Sequence, residues 1–79
     1  MKLTYDPRHN VAYFCLREKS AEVETLRISD ELNIDMAPDG TIYGIEFLNA
    51  NEQLAAEPAG KLVVVNEEQG KSTEIDLID

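Results

Sequence analysis

The feature that most constrains the fold is the stretch from Asn33 to Ala50, in which two alternating apolar runs flank Pro38-Asp39-Gly40. Proline at the second position of a turn supplies the required φ, and Gly40 can take the positive φ of a bulged turn. The pattern predicts a β-hairpin. Its register stays open, because a three-residue loop pairs Met36 with Ile42, whereas a four-residue loop pairs Met36 with Thr41.

Other short runs of β-forming residues recur along the chain, and each is bounded by turn residues. Asn49 with Glu52 resembles a capping box, which predicts a short helix through about Ala56 that Pro58 ends. The predicted fold is mainly β with an α+β element: an antiparallel β-meander of about six to seven short strands with one short helix. The predicted strands are Lys2–Tyr5, Val11–Leu16, Glu22–Ile28, Glu31–Met36, the run that begins at Ile42, Lys61–Asn66 and Thr73–Ile78.

The first of these turns contains Asp6 and Pro7. An aspartate side chain can accept a hydrogen bond from the backbone two residues on, and proline fixes φ. Asn10 closes the turn and tolerates a left-handed conformation. We therefore expect Asp6 and Pro7 to have a structural role, like Pro38, Asp39 and Gly40 in the second turn.

Composition narrows the class of protein. The 79 residues carry a net charge of −9, which argues against nucleic-acid binding and favours a basic protein partner. A single cysteine fits a reducing compartment, and neither a secretory signal nor an apolar run long enough to span a membrane is present. We expect a cytoplasmic protein.

A chain this short buries a small core, and one cysteine cannot form an internal disulfide. The run from Ile42 to Leu48 also has apolar side chains on both faces of its strand. We therefore expect a homodimer or a complex with another protein, and no cofactor.

The two segments TYDPRHNVAYFCL and DGTIYGIEFLNA together resemble a family of small bacterial and archaeal proteins known as domain of unknown function 2283. The resemblance covers roughly residues 1–51 of a single domain that spans 1–79, and it leaves 52–79 for the short helix and a C-terminal hairpin. The family has no established catalytic activity. Some members look like the antitoxin half of toxin–antitoxin modules, which implies a protein-binding role. The positions that carry the resemblance are Tyr5, Asp6, Tyr13, Leu16, Asp39, Gly40, Ile42, Gly44, Ile45, Glu46, Leu48 and Ala50.

No set of residues predicts catalysis. Asp6 and His9 could form an acid–base pair, but Asp6 already has a role in its turn. Cys15 lies in an apolar strand, where burial makes a thiol inert. Asp30, Glu31, Asp35 and Asp39 could form a weak cation site, although their spacing does not match an EF-hand. We expect no enzymatic activity.

The candidate interface is one face of the predicted strand after Gly40. A glycine inside a strand marks a close backbone approach or room for a large cross-strand side chain, and Glu46 could pair with a cation on a partner. The sequence thus predicts a small acidic protein-interaction module, with an antitoxin-like partner of a basic toxin as one form of it. The alternatives are a small ligand- or metal-binding protein and a homodimeric structural domain. The predicted interface residues are Ile42, Gly44, Glu46 and Leu48.

Overall fold

The hairpin around Pro38-Asp39-Gly40 has the three-residue loop in the computed structural model, which describes residues 1–18, 22–54 and 60–77. The Gly40 N–H donates to the Ala37 carbonyl at 2.9 Å, and the φ of Gly40 is 92°. Met36 pairs with Ile42, as the first of the two registers predicts. A bulge follows, so that the ladder continues with a register shifted by one residue.

Seven strands and one helix lie in the described parts of the chain, and the mainly β antiparallel class with one short helix is confirmed. Predicted and observed strand ends differ by two residues at most where both are described. The elements are β1 (Lys2–Asp6), β2 (Val11–Cys15), β3 (Glu24–Ser29), β4 (Leu32–Met36), β5 (Ile42–Leu48), α1 (Ala50–Leu54), β6 (Lys61–Asn66) and β7 (Lys71–Asp76).

The first five strands form one sheet in the order β1-β2-β5-β4-β3, and β6 pairs with β7 in a separate two-stranded sheet. The order departs from a sequential meander at one point, because β2 pairs with β5 and not with β3. The physical reason is that β2 and β5 are the most apolar strands of the five. Placing them at the centre gives each a strand on both sides and leaves the more polar β1 and β3 at the edges.

The five-stranded sheet has two chemically different faces. Side chains directly opposite each other on neighbouring strands share a face, so the pairing assigns each residue to one side. The polar face carries Thr4, Tyr13, Thr25, Asn33, Asp35, Gly44 and Glu46. The apolar face carries Leu3, Tyr5, Phe14, Leu26, Ile34, Ile45 and Phe47.

The apolar face is only partly covered. Helix α1 packs near β2, and the β6–β7 hairpin lies beside the pair of Leu3 and Phe14. Within the described residues the buried apolar side chains are those of three alanines, Ala12, Ala37 and Ala50, and no large side chain is fully buried.

The start of α1 is held by the first turn. Asn49 precedes the helix, and its Nδ2 donates to Glu52 Oε2 at 3.0 Å. This bond joins two side chains, so it is not the predicted capping box, in which each side chain accepts a backbone N–H. The Asn51 N–H, however, donates to Asn10 Oδ1 at 2.7 Å, so a distant asparagine caps the first turn of the helix. The predicted end of the helix, from Ala55 to Pro58, lies outside the described residues.

Replacing Gly40 with alanine should destabilise the protein by about 1 kcal/mol, because a Cβ is penalised at positive φ. No heavy atom lies within 4 Å of the position that this Cβ would occupy, so the cost is conformational and not steric. Chemical denaturation measures it. Gly40→Asn is the matched control and should lose less stability than Gly40→Ala, since asparagine tolerates a left-handed backbone conformation. Equal stability of Gly40→Ala and the wild type would contradict the bulged turn.

Candidate functional site

A hydrogen-bonded cluster lies at the centre of the polar face. The Tyr13 hydroxyl donates to Asp35 Oδ2 at 2.7 Å, and the Thr25 hydroxyl donates to Asp35 Oδ1 at 2.6 Å. Asp35 is only 7% exposed. A carboxylate buried this deeply requires such donors, because losing water without compensation is costly. We call these three residues the Tyr13–Asp35–Thr25 cluster; it connects β2, β4 and β3 across the sheet.

Gly44 makes this cluster possible. It pairs with Cys15 on one side and with Asp35 on the other, and so lies between Tyr13 and its acceptor. A Cβ on Gly44 would overlap the Tyr13 hydroxyl and ring. The expected role of a glycine inside this strand, room for a large cross-strand side chain, is confirmed.

Glu46 lies beside the cluster. Its Oε1 accepts a hydrogen bond from Asn33 Nδ2 at 2.9 Å, across the β4–β5 pair. The other amide atom, Asn33 Oδ1, is buried and has no hydrogen-bond partner among the described atoms. The polar face thus has a largely internal hydrogen-bond network, which indicates a structural role for these groups.

The predicted interface residues do not form one continuous apolar row. Gly44 and Glu46 lie on the polar face, with Gly44 beneath the Tyr13 ring, and Leu48 pairs with Val11. Ile42 lies on the other side of the bulge, opposite Met36. The structure therefore places Glu46 in a polar surrounding, and its pairing with a partner's cation stays a prediction.

The turn that contains Asp6 and Pro7 has the predicted geometry. Asp6 Oδ1 accepts hydrogen bonds from the N–H groups of Arg8 and His9, at 3.0 and 3.4 Å, and the φ of Asn10 is 59°. Asp6 Oδ2 also lies 2.6 Å from His9 Nδ1. All of these contacts lie within one turn at the surface. They indicate that Asp6 and His9 stabilise the turn, which is the structural role expected for Asp6.

Two exposed carboxyls have a lowered pKa. The His9 ring is the main cause at Asp6, helped by backbone N–H donors and opposed by desolvation. Hydrogen bonds from Thr41 are the main cause at Asp39, whose Oδ1 accepts the Thr41 N–H at 2.9 Å. Both shifts favour the ionised carboxylates of the folded turns.

The lowered pKa values determine in which direction the stability of the fold changes with pH. A carboxyl whose folded-state pKa lies below its unfolded value of 3.8 stabilises the fold above pH 3.8, and this contribution is lost as the pH falls through the lower, folded-state value. We expect Asp6→Asn, which keeps an acceptor for the turn, to flatten the acid limb of the stability profile. Denaturation between pH 2 and pH 6 (about the range in which carboxyls titrate) measures this. Glu68→Gln is the control for net charge, and an identical acid limb in Asp6→Asn and the wild type would contradict the role of Asp6.

The four carboxylates considered for a cation site are not brought together. Asp30 and Glu31 precede β4 and Asp39 follows it, so they lie at opposite ends of that strand. Asp30 pairs with Arg27 Nη2 at 2.7 Å, and Asp35 belongs to the Tyr13–Asp35–Thr25 cluster. Across residues 1–18, 22–54 and 60–77, no group of three or more His, Cys, Asp or Glu is placed to hold a metal ion.

A second candidate site lies on the apolar side. A groove of about 370 Å³ separates the end of the five-stranded sheet from the C-terminal hairpin formed by β6 and β7. Two of its lining side chains on the hairpin remain exposed, Val64 to 52% and Ile75 to 46%. We call it the apolar groove. The residues that line it include Leu3, Phe14, Leu62, Val64, Ile75 and Leu77.

Some parts of the candidate site were not predicted, although features of the sequence pointed toward them. Polar residues at alternate positions of β4, Asn33 and Asp35, indicated a polar face, and Gly44 indicated a large neighbour. The partner of Gly44 could not be identified, because Tyr13 lies in an apolar run and its pairing depends on β2 lying beside β5. The asparagine that caps α1 gave no signal, since 41 residues separate Asn10 from Asn51.

Comparison with known proteins identifies the family and no more. No curated protein matches the chain, and no solved structure matches it. In the described part of the chain, no helix is long and apolar enough to cross a membrane. A family model described as protein of unknown function (DUF2283) matches residues 2–51, which include β1 to β5 and the start of α1. The chain therefore belongs to the DUF2283 family.

Proposed function

We propose that this protein is an interaction module that binds another polypeptide on its apolar side, at the apolar groove and the hairpin beside it. The observation that carries the proposal is the incomplete core. In the residues that the structure describes, only alanines are buried among the apolar residues, while Val64 and Ile75 remain about half exposed at the groove. Contiguous exposed apolar surface is typical of interaction sites.

The amount of exposed surface supports the proposal. A compact monomer of 8.9 kDa is expected to expose about 4,800 Å², whereas this chain exposes 5953 Å². The radius of gyration is 14.0 Å, against about 11.6 Å for a compact domain of this length. The molecule is a plate 19 Å thick and 35 × 34 Å across, a shape with more surface than a compact globule of the same mass.

The two sides of the sheet suit different roles. On the polar face, Asp35 accepts hydrogen bonds from Tyr13 and Thr25, and Glu46 accepts one from Asn33, so these groups already have donors from the same chain. In the apolar groove, by contrast, the side chains of Val64 and Ile75 remain about half exposed. An antitoxin-like role, in which the module covers part of a toxin, is one form of the proposal, and the net charge of −9 would favour a basic partner.

Site-specific photo-crosslinking in the native host tests the proposal. A photoreactive phenylalanine analogue replaces Val64 in the groove, and the same analogue replaces Thr4 or Glu46 on the polar face as a matched control. We expect one discrete polypeptide adduct from position 64, identified by mass spectrometry and competed by excess unmodified protein. Adducts from position 46 alone would support the interface on the polar face, and no adduct from any position would contradict an interaction module.

A further inference from the structure

We infer that the partner on the apolar side is a second copy of this chain, joined by antiparallel pairing of β6 with β6 of the other copy. This inference rests on the proposed function and specifies its partner. The pairing would convert two hairpins into one continuous four-stranded sheet in the order β7-β6-β6-β7.

Strand β6 is rich in valine. Val63, Val64 and Val65 are 38%, 52% and 56% exposed, so three consecutive valines remain accessible on both faces of the hairpin. Valine is favoured in strands that are buried on both faces. An isolated two-stranded hairpin is marginally stable in water. A further strand beside β6 would cover part of these side chains through cross-strand contacts and would enlarge the two-stranded sheet.

One edge of β6 is open in the sheets that the structure describes. In the described sheets β6 has one neighbour, β7. The Leu77 N–H donates to the Gly60 carbonyl at 2.7 Å, which makes Gly60 and Leu77 a hydrogen-bonded pair of this ladder. Backbone groups alternate in direction along an antiparallel strand. The N–H and C=O groups of Lys61, Val63 and Val65 therefore point away from β7, toward the open edge.

The sequence of β6 is complementary to a second, antiparallel copy of itself. A twofold axis through Val64 places Val64 opposite its copy and Val63 opposite the partner's Val65. One hydrogen-bonded pair further along, the register brings Lys61 to the partner's Glu67, the first residue after β6, and symmetry makes this opposite-charge pair twice. Cross-strand pairs of opposite charge and of β-branched residues both stabilise a sheet. In this register the outward-pointing backbone N–H and C=O groups of Val63 and Val65 form hydrogen bonds with the other copy.

The exposed area is consistent with a second copy. The surface beyond that of a compact monomer is about 1,100 Å² per chain, and a standard protein interface covers about 800 Å² per partner. Each copy therefore has enough uncovered surface for a stable dimer.

Disulfide trapping tests the register. In a Cys15→Ser background, Val64→Cys places one thiol directly opposite its copy in a pair that is not hydrogen-bonded, where Cα atoms lie about 4.5 Å apart. Val63→Cys and Val65→Cys serve as matched controls, because neither faces its own copy. We expect Val64→Cys to form the covalent dimer at least tenfold faster than either control. Equal rates for the three variants would overturn the pairing.

Sedimentation equilibrium of the unmodified protein, with two variants, tests the dimer itself. Val63→Pro removes an N–H that points away from β7, so it should weaken self-association at least tenfold and leave the monomer folded by circular dichroism. If the proline unfolds the hairpin, Val64→Lys is the second variant. It places two ammonium groups at the twofold axis and should weaken self-association by charge repulsion. Unchanged association in a folded variant would overturn the inference.

The two proposals fail in different ways. A wild-type monomer at 100 µM (on the order of the weakest affinities for which a specific dimer would be claimed) overturns the second copy as partner. If such a monomer still gives a discrete adduct with another protein from position 64, the interaction module stands. If neither self-association nor an adduct is found, both proposals are wrong.

Discussion

Gly44→Ala should lose about 2–3 kcal/mol of the free energy of unfolding, although it changes one hydrogen into a methyl group. The new Cβ overlaps the Tyr13 hydroxyl and ring, so the tyrosine must leave its position above β5. The Asp35 carboxylate, 7% exposed, then loses the donor at 2.7 Å. A hydrogen bond to a charged group contributes about 1.5–3 kcal/mol. Chemical denaturation measures the loss.

A double-mutant cycle isolates this cause. Tyr13→Leu keeps apolar bulk but lacks the ring and hydroxyl atoms that the Cβ would meet. In that background Gly44→Ala should be neutral or slightly stabilising, because alanine suits a strand better than glycine does. If Gly44→Ala costs as much in the Tyr13→Leu background as it does with the native tyrosine, the overlap with Tyr13 is not the reason for the glycine.

The second large effect is expected at Asn10, which joins the first turn to the helix. The Asn10 carbonyl accepts the Ala50 N–H at 3.1 Å, and its side chain accepts the Asn51 N–H at 2.7 Å. The φ of Asn10 is 59°. Asn10→Ala therefore removes a helix cap, at about 1 kcal/mol, and adds left-handed strain of about 1–2 kcal/mol. Thermal and chemical denaturation should show a total loss of about 2–3 kcal/mol.

Asn10→Gly separates the two contributions. Glycine adopts positive φ without strain, so this variant should lose the cap alone and be more stable than Asn10→Ala by the strain energy. Equal stability of the two variants would mean that the backbone conformation of Asn10 contributes nothing, and a neutral Asn10→Gly would mean that the cap contributes nothing.

Local signals allowed most elements to be predicted from the sequence. Turn chemistry at Asp6 and at Pro38-Asp39-Gly40 set the ends of four strands, and both turns have the expected geometry. Lys61–Asn66 was predicted with its observed bounds. These features depend on residues a few positions apart, where backbone preferences and short side-chain hydrogen bonds decide the conformation.

The features that could not be predicted from the sequence depend on pairing between strands that are distant along the chain. The position of β5 between β2 and β4 brings Tyr13 to Asp35 across 22 residues of sequence, and no local pattern specifies that contact. The same pairing changed the interpretation of the predicted interface. Glu46 was expected among apolar residues, yet it lies next to Asn33 on the polar face, while the bulge separates Ile42 from that row.

The two sides of the sheet thereby acquire separate roles. The polar face connects the strands through part-buried hydrogen bonds, and the absence of a side chain at Gly44 leaves room for the Tyr13 ring that makes one of them. On the apolar side, the incompletely covered side chains form the proposed binding surface. Residues 2–51, which match the family model, contain the polar face, and the C-terminal hairpin lies beyond them.

The salt dependence of association is the most direct test of the claim that this protein binds through its apolar side. Sedimentation equilibrium of the wild type is measured at low and at high salt, on either side of physiological ionic strength. Each copy carries a net charge of −9, so screening reduces the repulsion between two copies. We expect self-association that tightens as salt rises. Association that weakens steadily with salt would contradict it, because the ion pairs between Lys61 and the partner's Glu67 would then outweigh the apolar contacts.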